Sequence, residues 1–327
     1  MKNKSFFATG KGSLCLLGVL AATVLLALAF GSAQMNISDL MSGLMKKDGF
    51  ETESAILYSL RLPRVLAGIL AGVGLSVSGV LLQAVTGNQL ASPGIIGVNS
   101  GAGFAVILLL AFFPFAEAAM PFAAFTGAFC TTMLILFLSS KISFSKSTVI
   151  LAGVAVSSLL NAAISFISYA DTDLLSLYNY FSVGSLAQIF PERLIIPTVI
   201  IFLSLAVAIL LSHRIDTLCL GDSISLSLGV NVRILRVVCL LLASALAGAA
   251  VSFAGLLGFV GLVVPHITRK LCGNSSATLI LNSSLIGATL VILSDLSGRL
   301  ILSPTEIPVG IVMAFIGAPF LFYIIIR

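Results

Sequence analysis

Residues 61–93 read RLPRVLAGILAGVGLSVSGVLLQAVTGNQLASP. From Val65 to Thr86 the stretch carries no ionisable side chain, and it runs into a cluster of turn residues, NQLASPG, at 88–94. A helix needs about 20 mostly apolar residues to cross a bilayer. The stretch therefore reads as one membrane span, opened by Arg61 and Arg64 and closed by a turn. Its glycines suit helices that approach closely in lipid.

The same pattern recurs along the chain. Ten candidate spans lie near residues 12–30, 62–86, 95–113, 119–139, 147–169, 192–211, 231–252, 256–270, 276–300 and 307–326. They leave no soluble domain, long linker or low-complexity tract, so residues 1–327 read as a single transmembrane domain. The eighth span is short, and Gly255, Gly258 and Gly261 beside it point to broken or re-entrant helix. Composition agrees: 59% of the 327 residues are hydrophobic and 9% are charged, with mean hydropathy +1.18. Soluble chains run about 25% charged and about 45–50% apolar, so the main solvent of this chain is lipid. The first span could pass for a secretory signal, with Lys2, Lys4 and Lys11 before residues 14–30 and Gly31-Ser32-Ala33 after them. It is longer than the usual apolar region of a signal and reads as an uncleaved helix.

Charge placement predicts orientation. With the N-terminus in the cytoplasm and ten crossings, the inside holds Lys2, Lys4, Lys11, Lys141, Lys146, Arg214, Arg233, Arg236, Arg269, Lys270 and Arg327 against Asp216 and Asp222. The outside holds Lys46, Lys47, Arg61, Arg64, Arg193 and Arg299 against ten acids, among them Asp39, Asp48, Asp295 and Glu306. Both termini are thus expected in the cytoplasm. The net charge of +5 is spread among apolar spans and implies no nucleic-acid partner. A weak internal repeat also emerges. Residues 71–81, AGVGLSVSGVL, and 247–257, AGAAVSFAGLL, share Ala, Gly, Ser, Gly and Leu in one register. An odd number of spans separates the copies, so they run oppositely, as in inverted-repeat transporters.

Several chemistries lack their residues. The nearest string to a phosphate loop, Gly10-Lys11-Gly12-Ser13, lacks the upstream glycine and the hydroxyl directly after lysine. Cys15, Cys130, Cys219, Cys239 and Cys272 form no C-x-x-C pair and read as small apolar fillers. His213 and His266 are not at metal-ligand spacing, and a helix-end hydrogen bond is expected for His266 beside Pro265. No serine sits in a nucleophile elbow. Neither a catalytic site, a metal site nor a cofactor is expected. Acids are scarce at mid-span, apart from positions near outer ends such as Asp295, which disfavours ion-coupled transport.

Three features carry functional readings. Arg61, Arg64 and Arg299 lie at outer ends of spans, where cations are under-represented. They read either as interfacial anchors with heads in water or as prongs for carboxylates of an outer partner. From spacing alone the anchor reading leads. Residues 221–230, GDSISLSLGV, form an amphipathic cytoplasmic loop bounded by glycines. It is a plain connector or a helix that docks into a cytoplasmic motor. Gly/Pro turns punctuate the rest.

Several long strings, in order, then identify a family. They are residues 61–103, the string LAGVAVSSLLNA at 151–162, GDSISLSLGVNV at 221–232, GLLGFVGLVVPHITRKL at 255–271 and EIPVGIVMAFIGAPFLFY at 306–323. From about residue 60 to the end the chain resembles the FecCD family of ABC permeases, which includes cobalamin, haem and iron–siderophore importers. The resemblance implies an all-α integral membrane fold of type II importer permease kind, with ten transmembrane helices per subunit. It implies a homodimer or a pair of similar permeases, two cytoplasmic ATP-binding subunits and an extracytoplasmic substrate-binding protein, in a bacterial cytoplasmic membrane. It assigns Arg61, Arg64 and Arg299 to docking of the binding protein. It assigns Gly221, Asp222, Ser223, Ile224, Ser225, Leu226, Leu228 and Gly229 to coupling with the ATPase. Ser145, Lys146 and Ser147 fall at the cytoplasmic gate before the fifth span, which lines the path with the tenth in relatives. Lysine at 146 departs from the family, as does CGNSSATL at 272–279, which lacks the Asp-His-Arg common in relatives.

The expected activity is alternating-access import of an iron(III)–siderophore complex, with ATP hydrolysed on separate subunits. Haem or cobalamin is the alternative cargo. An ion-coupled secondary transporter is a further rival, allowed by the inverted repeat but short of mid-membrane acids. An intramembrane enzyme lacks a paired nucleophile and base.

Overall fold

The structure, a computed structural model, describes residues 10–31, 45, 49–142 and 145–326. Lys2, Lys4, Ser32, Ala33, Asp39, Lys46, Lys47, Asp48 and Arg327, used in the readings above, lie outside the described residues. Among the described residues the fold is helical with no strand, so the all-α expectation holds. The helices are α1 (Gly10–Ala29), α2 (Leu62–Thr86), α3 (Val98–Phe112), α4 (Met120–Ile142), α5 (Lys146–Ala170), α6 (Thr172–Val183), α7 (Pro191–Leu210), α8 (Ser212–Cys219), α9 (Asp222–Ser227), α10 (Val232–Ala254), α11 (Val260–Cys272), α12 (Ser276–Ile301) and α13 (Val309–Ile326). A short helix, Glu51–Ala55, and a π-helical turn, Ile56–Arg61, lead into α2. Among the described residues seven helices are long and apolar enough to cross a membrane, and α3 and α13 are shorter apolar helices.

Let the face where α1 starts be the lower face. Ser13 donates to Asn282 near the starts of α1 and α12, and Arg299 donates to Ala27 and Phe30 near their ends. The two helices are therefore parallel. α2 runs the other way, since Arg64 in its first turn bonds Asp295 near the upper end of α12. α10 is antiparallel to α2: Ser78 donates to Ala243, while Gly74, earlier in α2, lies against Leu246 and Ala250, later in α10. The two repeat copies, in α2 and at the end of α10, thus run oppositely and pack against each other. α8 and α9 lie at the lower face and α6 at the upper.

α2 is the axis. Of its apolar window 83% is buried inside the subunit, against 17% for α1 and for α5. It packs on α12, α10, α11 and α7. Small residues allow the approach: a side chain at Gly79 would overlap the carbonyl oxygen of Gly261, and one at Gly72 would overlap the backbone of Gly287. Where lipid supplies no hydrophobic drive between helices, such close backbone contact supplies dispersion instead.

The eighth segment departs from the helix expected over 256–270. Residues 255–259 are irregular, and α11 begins only at Val260, level with the middle of α2. Gly255 sits at φ +73° and Phe259 at φ +65°. For phenylalanine this left-handed backbone costs roughly 1–3 kcal/mol, and its ring is wedged under Gly317 of α13, where no larger residue fits. Backbone bonds from the turn after α6 close the break: Leu256 N–H donates to Phe181, Ser185 N–H to Ala254, and Gly310 N–H to Gly184. Irregular backbone at membrane depth survives only when protein satisfies it in this way.

Substituting Gly79→Leu is expected to abolish the stably folded, monodisperse fraction after detergent extraction, because the added carbons must displace the backbone of Gly261. Gly18→Leu in α1, where nothing lies within 4 Å of the added carbon, leaves that fraction unchanged. Equal behaviour in size-exclusion profiles would contradict the packing described.

Candidate functional site

The upper face carries a buried charge cluster. Arg64 Nε and Nη2 donate to Asp295 at 2.9–3.0 Å, and its Nη1 donates to Glu306 at 2.7 Å. Arg299 Nε lies 3.1 Å from the second oxygen of Asp295, one helical turn away on the same face of α12. Arg299 also donates to the carbonyls of Ala27 and Phe30 at 3.3 Å. Arg61 donates to Leu28 at 2.6 Å and Ala29 at 2.8 Å. Those four carbonyls end α1, where the helix dipole and unpaired acceptors favour a cation.

Burial bears on both sequence readings of these arginines. Arg61, Arg64 and Arg299 are 4%, 9% and 3% exposed. They are therefore not anchors reaching into water, nor are their heads free prongs. They turn inward, joining α1, α2, α12 and the turn before α13 that holds Glu306. Their acidic partners were only half visible in the sequence. Asp295 and Arg299 stand at an i, i+4 spacing, but nothing local links Arg64 to residues more than 200 positions away.

At the lower face the expected coupling segment forms one short helix, α9, and another, α8, precedes it. α8 is rooted: Ser212, Ile215 and Leu218 are buried. α9 is tied to it by Ser225, whose hydroxyl lies 2.7 Å from Thr217 O and 2.8 Å from Gly221 O. It is tied to α10 by the Arg236–Asp222 ion pair at 2.6 Å, with Arg236 buried. Outward, Leu220, Ile224, Leu226 and Leu228 are 48–62% exposed. A cavity of about 490 Å³ lies beside them, lined in part by Asp222, Leu226, Arg233 and Arg236. Gly221 and Gly229, at φ +108° and +77°, bound the segment where other residues would be strained. Ser223 sits on the exposed side of α9.

At the start of α5, Ser145 caps the helix by accepting from Thr148 N–H at 3.2 Å. Ser147 is exposed. Lys146 points at the end of α2: a methyl at Gly87 would come within 3.0 Å of its Nζ. A cation there opposes the negative end of a 25-residue helix, which explains a lysine that the sequence left without a role. The residues expected to dock, to couple and to gate thus lie in three separate places, one above and two below.

Among the described residues His266 has no helix-end hydrogen bond of the kind expected of it. It lies inside α11, its ring edge-on to Phe320 of α13 at 5.8 Å, because Pro265 is accommodated within the helix and the ring faces the neighbouring span. Lys270 Nζ likewise lies 5.2 Å from the ring of Tyr323. Among the described residues no three His, Cys, Asp or Glu side chains gather into a metal-binding group.

The profile of the FecCD transport family matches residues 19–327. The Fe(3+)-citrate import system permease protein YfmE of Bacillus subtilis is 36% identical over 273 residues, 83% of this chain and 81% of that protein. The Probable heme-iron transport system permease protein IsdF of Staphylococcus aureus is 36% identical over 312 residues, 95% and 94% of the two chains. The vitamin B12 import system permease protein BtuC of Vibrio cholerae is 34% identical over 324 residues, 97% and 94% of the two chains. A solved structure described as an inward-facing conformation of a metal-chelate type ABC transporter superposes with TM-score 0.87 at 30% identity, covering 97% of this chain and 99% of that one.

Removing the shared carboxylate by Asp295→Leu is expected to cost about 3–5 kcal/mol, since two arginines then lose a buried counter-charge. Adding Arg299→Met to that variant restores part of the loss, because Arg64 keeps Glu306. Thermal midpoints in nanodiscs measure both, and an unshifted midpoint for Asp295→Leu would refute a stabilising role for the cluster.

Proposed function

This chain belongs to the FecCD transport family, and from that premise we propose that it is the permease of an ATP-driven importer carrying an iron(III)–siderophore complex across a bacterial cytoplasmic membrane. The chain is a multi-pass ABC importer permease of the kind that serves metal chelates, haem or cobalamin. ATP hydrolysis belongs to separate subunits of such importers. For the cargo, two of the relatives above are named for iron systems, which supports an iron chelate ahead of cobalamin.

The observation that carries the partner assignment is the exposed apolar side of α9 and its flanks. Unlike the lipid-facing helices, this segment lies outside the spans, where a run of exposed Leu and Ile marks a protein interface. In our reading the lower face is cytoplasmic and α9 docks into an ATPase subunit, one on each permease of a homodimer. ATP-driven closure moves α8 and α9, and the sparsely buried α5 and α13 rearrange to open the path.

The upper cluster is assigned to the binding protein in an altered form. Arg61 and Arg299 rest on the carbonyls that end α1, and a methyl at Gly31 would lie 3.2 Å from Arg299 and 3.4 Å from Arg61. An incoming carboxylate forms a stronger charge-assisted bond than a neutral carbonyl. Docking then requires the end of α1 to yield while Arg64 stays clamped between Asp295 and Glu306. Ser145, Lys146 and Ser147 serve as the lower gate, with Lys146 holding the start of α5 to α2.

In proteoliposomes with the ATPase inside and the loaded binding protein outside, ATP-dependent uptake of a radioiron ferric hydroxamate is expected. Uptake of haemin or cyanocobalamin instead would move the cargo assignment. The double change Ile224→Asp and Leu226→Asp is expected to weaken ATPase binding by about thirtyfold, the effect of losing an interface hot spot, with insertion unchanged. Undiminished binding would overturn the role of α9.

A further inference from the structure

The first turn of α12 is capped from another helix. Asp216 of α8 accepts from the backbone N–H of Ser276 at 2.7 Å, while Ser275, the residue at the cap position, contributes no side-chain bond. A carboxylate there meets both an unpaired donor and the positive end of the helix dipole. The bond is not local: it links residues 60 positions apart.

Its surroundings give the bond reach. α8 carries α9 through Ser225, and α9 holds the outward apolar side chains. α12 has 26 residues, about 39 Å at 1.5 Å per residue, and its other end bears Asp295 and Arg299. Along that length it packs on α2 at the mutual contact of Gly72 and Gly287. The other helix ends at the lower face gather at the same place. Arg269 of α11 donates to Gln83 of α2, and α8 packs on both α2 and α12. By contrast, α5 buries little of itself within the subunit.

We propose that Asp216 is a positioning residue for energy coupling: by capping α12 it makes the α8–α9 segment and the α2–α12 pair move as one body. A shift of α9 then reaches the upper charge cluster through stiff helices, while α5 is left to rearrange against them. The inference rests on the permease reading above, and it adds a transmission route that this reading lacks.

The test uses the chain with its ATPase and binding protein in lipid, comparing Asp216→Ala with Asp216→Asn, which keeps an acceptor oxygen. Two readouts are taken. Hydrogen exchange of residues 276–279 and 212–219 in the permease reports the joint. Radioiron ferric hydroxamate transported per ATP hydrolysed reports coupling. Asp216→Ala is expected to speed exchange in both segments together, by on the order of fivefold, the factor for a lost cap. It should lower transport per ATP by a similar factor, with ATPase co-purification at the wild-type amount. Asp216→Asn should stay near wild type in both. An unchanged transport-to-ATP ratio in Asp216→Ala would overturn the proposal, as would loss of ATPase co-purification to the same degree in both variants, which marks a residue needed only for folding. Absence of ferric hydroxamate uptake by the wild-type complex would overturn the cargo assignment instead, and the exchange data would still decide whether Asp216 joins the two segments.

Discussion

A bilayer offers no hydrogen-bond partner to an unpaired backbone group, and each part of this molecule answers that constraint. Long runs of apolar residues become helices because a helix satisfies its own backbone. The constraint is sharpest where helices stop inside the fold. α6, α10 and α13 end or begin around Gly184, and their loose N–H and C=O groups pair with one another there. The same region lets Phe259 hold a left-handed backbone that its ring, lodged under Gly317, keeps in place.

Charge obeys a related rule. Guanidinium groups taken from water need acceptors, and the upper cluster supplies two carboxylates and the spent end of α1. Such a network discriminates strongly between arrangements, because each broken pair leaves a costly buried charge. It fixes the relative height of α1, α2 and α12 more tightly than lipid-facing packing could. On the lower side the cations are used differently: Lys146 faces the end of one helix and Arg236 pins a short one.

These two kinds of bond divide the subunit. α2, α10 and α12 share close glycine contacts and form a stiff centre. α1 and α5 bury little of themselves, and α13 touches the rest mainly through α11 and α12. A transporter needs both parts, since a path that opens and closes must be lined by elements that can shift against a fixed body. The residues that could transmit motion therefore sit at helix ends, where one directional bond joins two rigid pieces.

Much of this was legible in residue order. The apolar runs marked where helices lie, seven of them among the described residues long and apolar enough to cross a membrane, and the glycine-rich string from Arg61 to Pro93 marked the most buried of these seven. Periodicity and hydropathy suffice there because the solvent acts on every residue of a span in the same way. The break at Gly255 was signalled, though not that α11 would start at Val260. What sequence could not reveal were pairings between distant positions. Nothing near Arg64 names Asp295 or Glu306, nothing near Asp216 names Ser276, and Lys146 gained meaning only beside Gly87. Length and polarity are properties of a segment and can be read along the chain. The direction in which an arginine turns depends on which helix end lies next to it, and only the tertiary structure decides that.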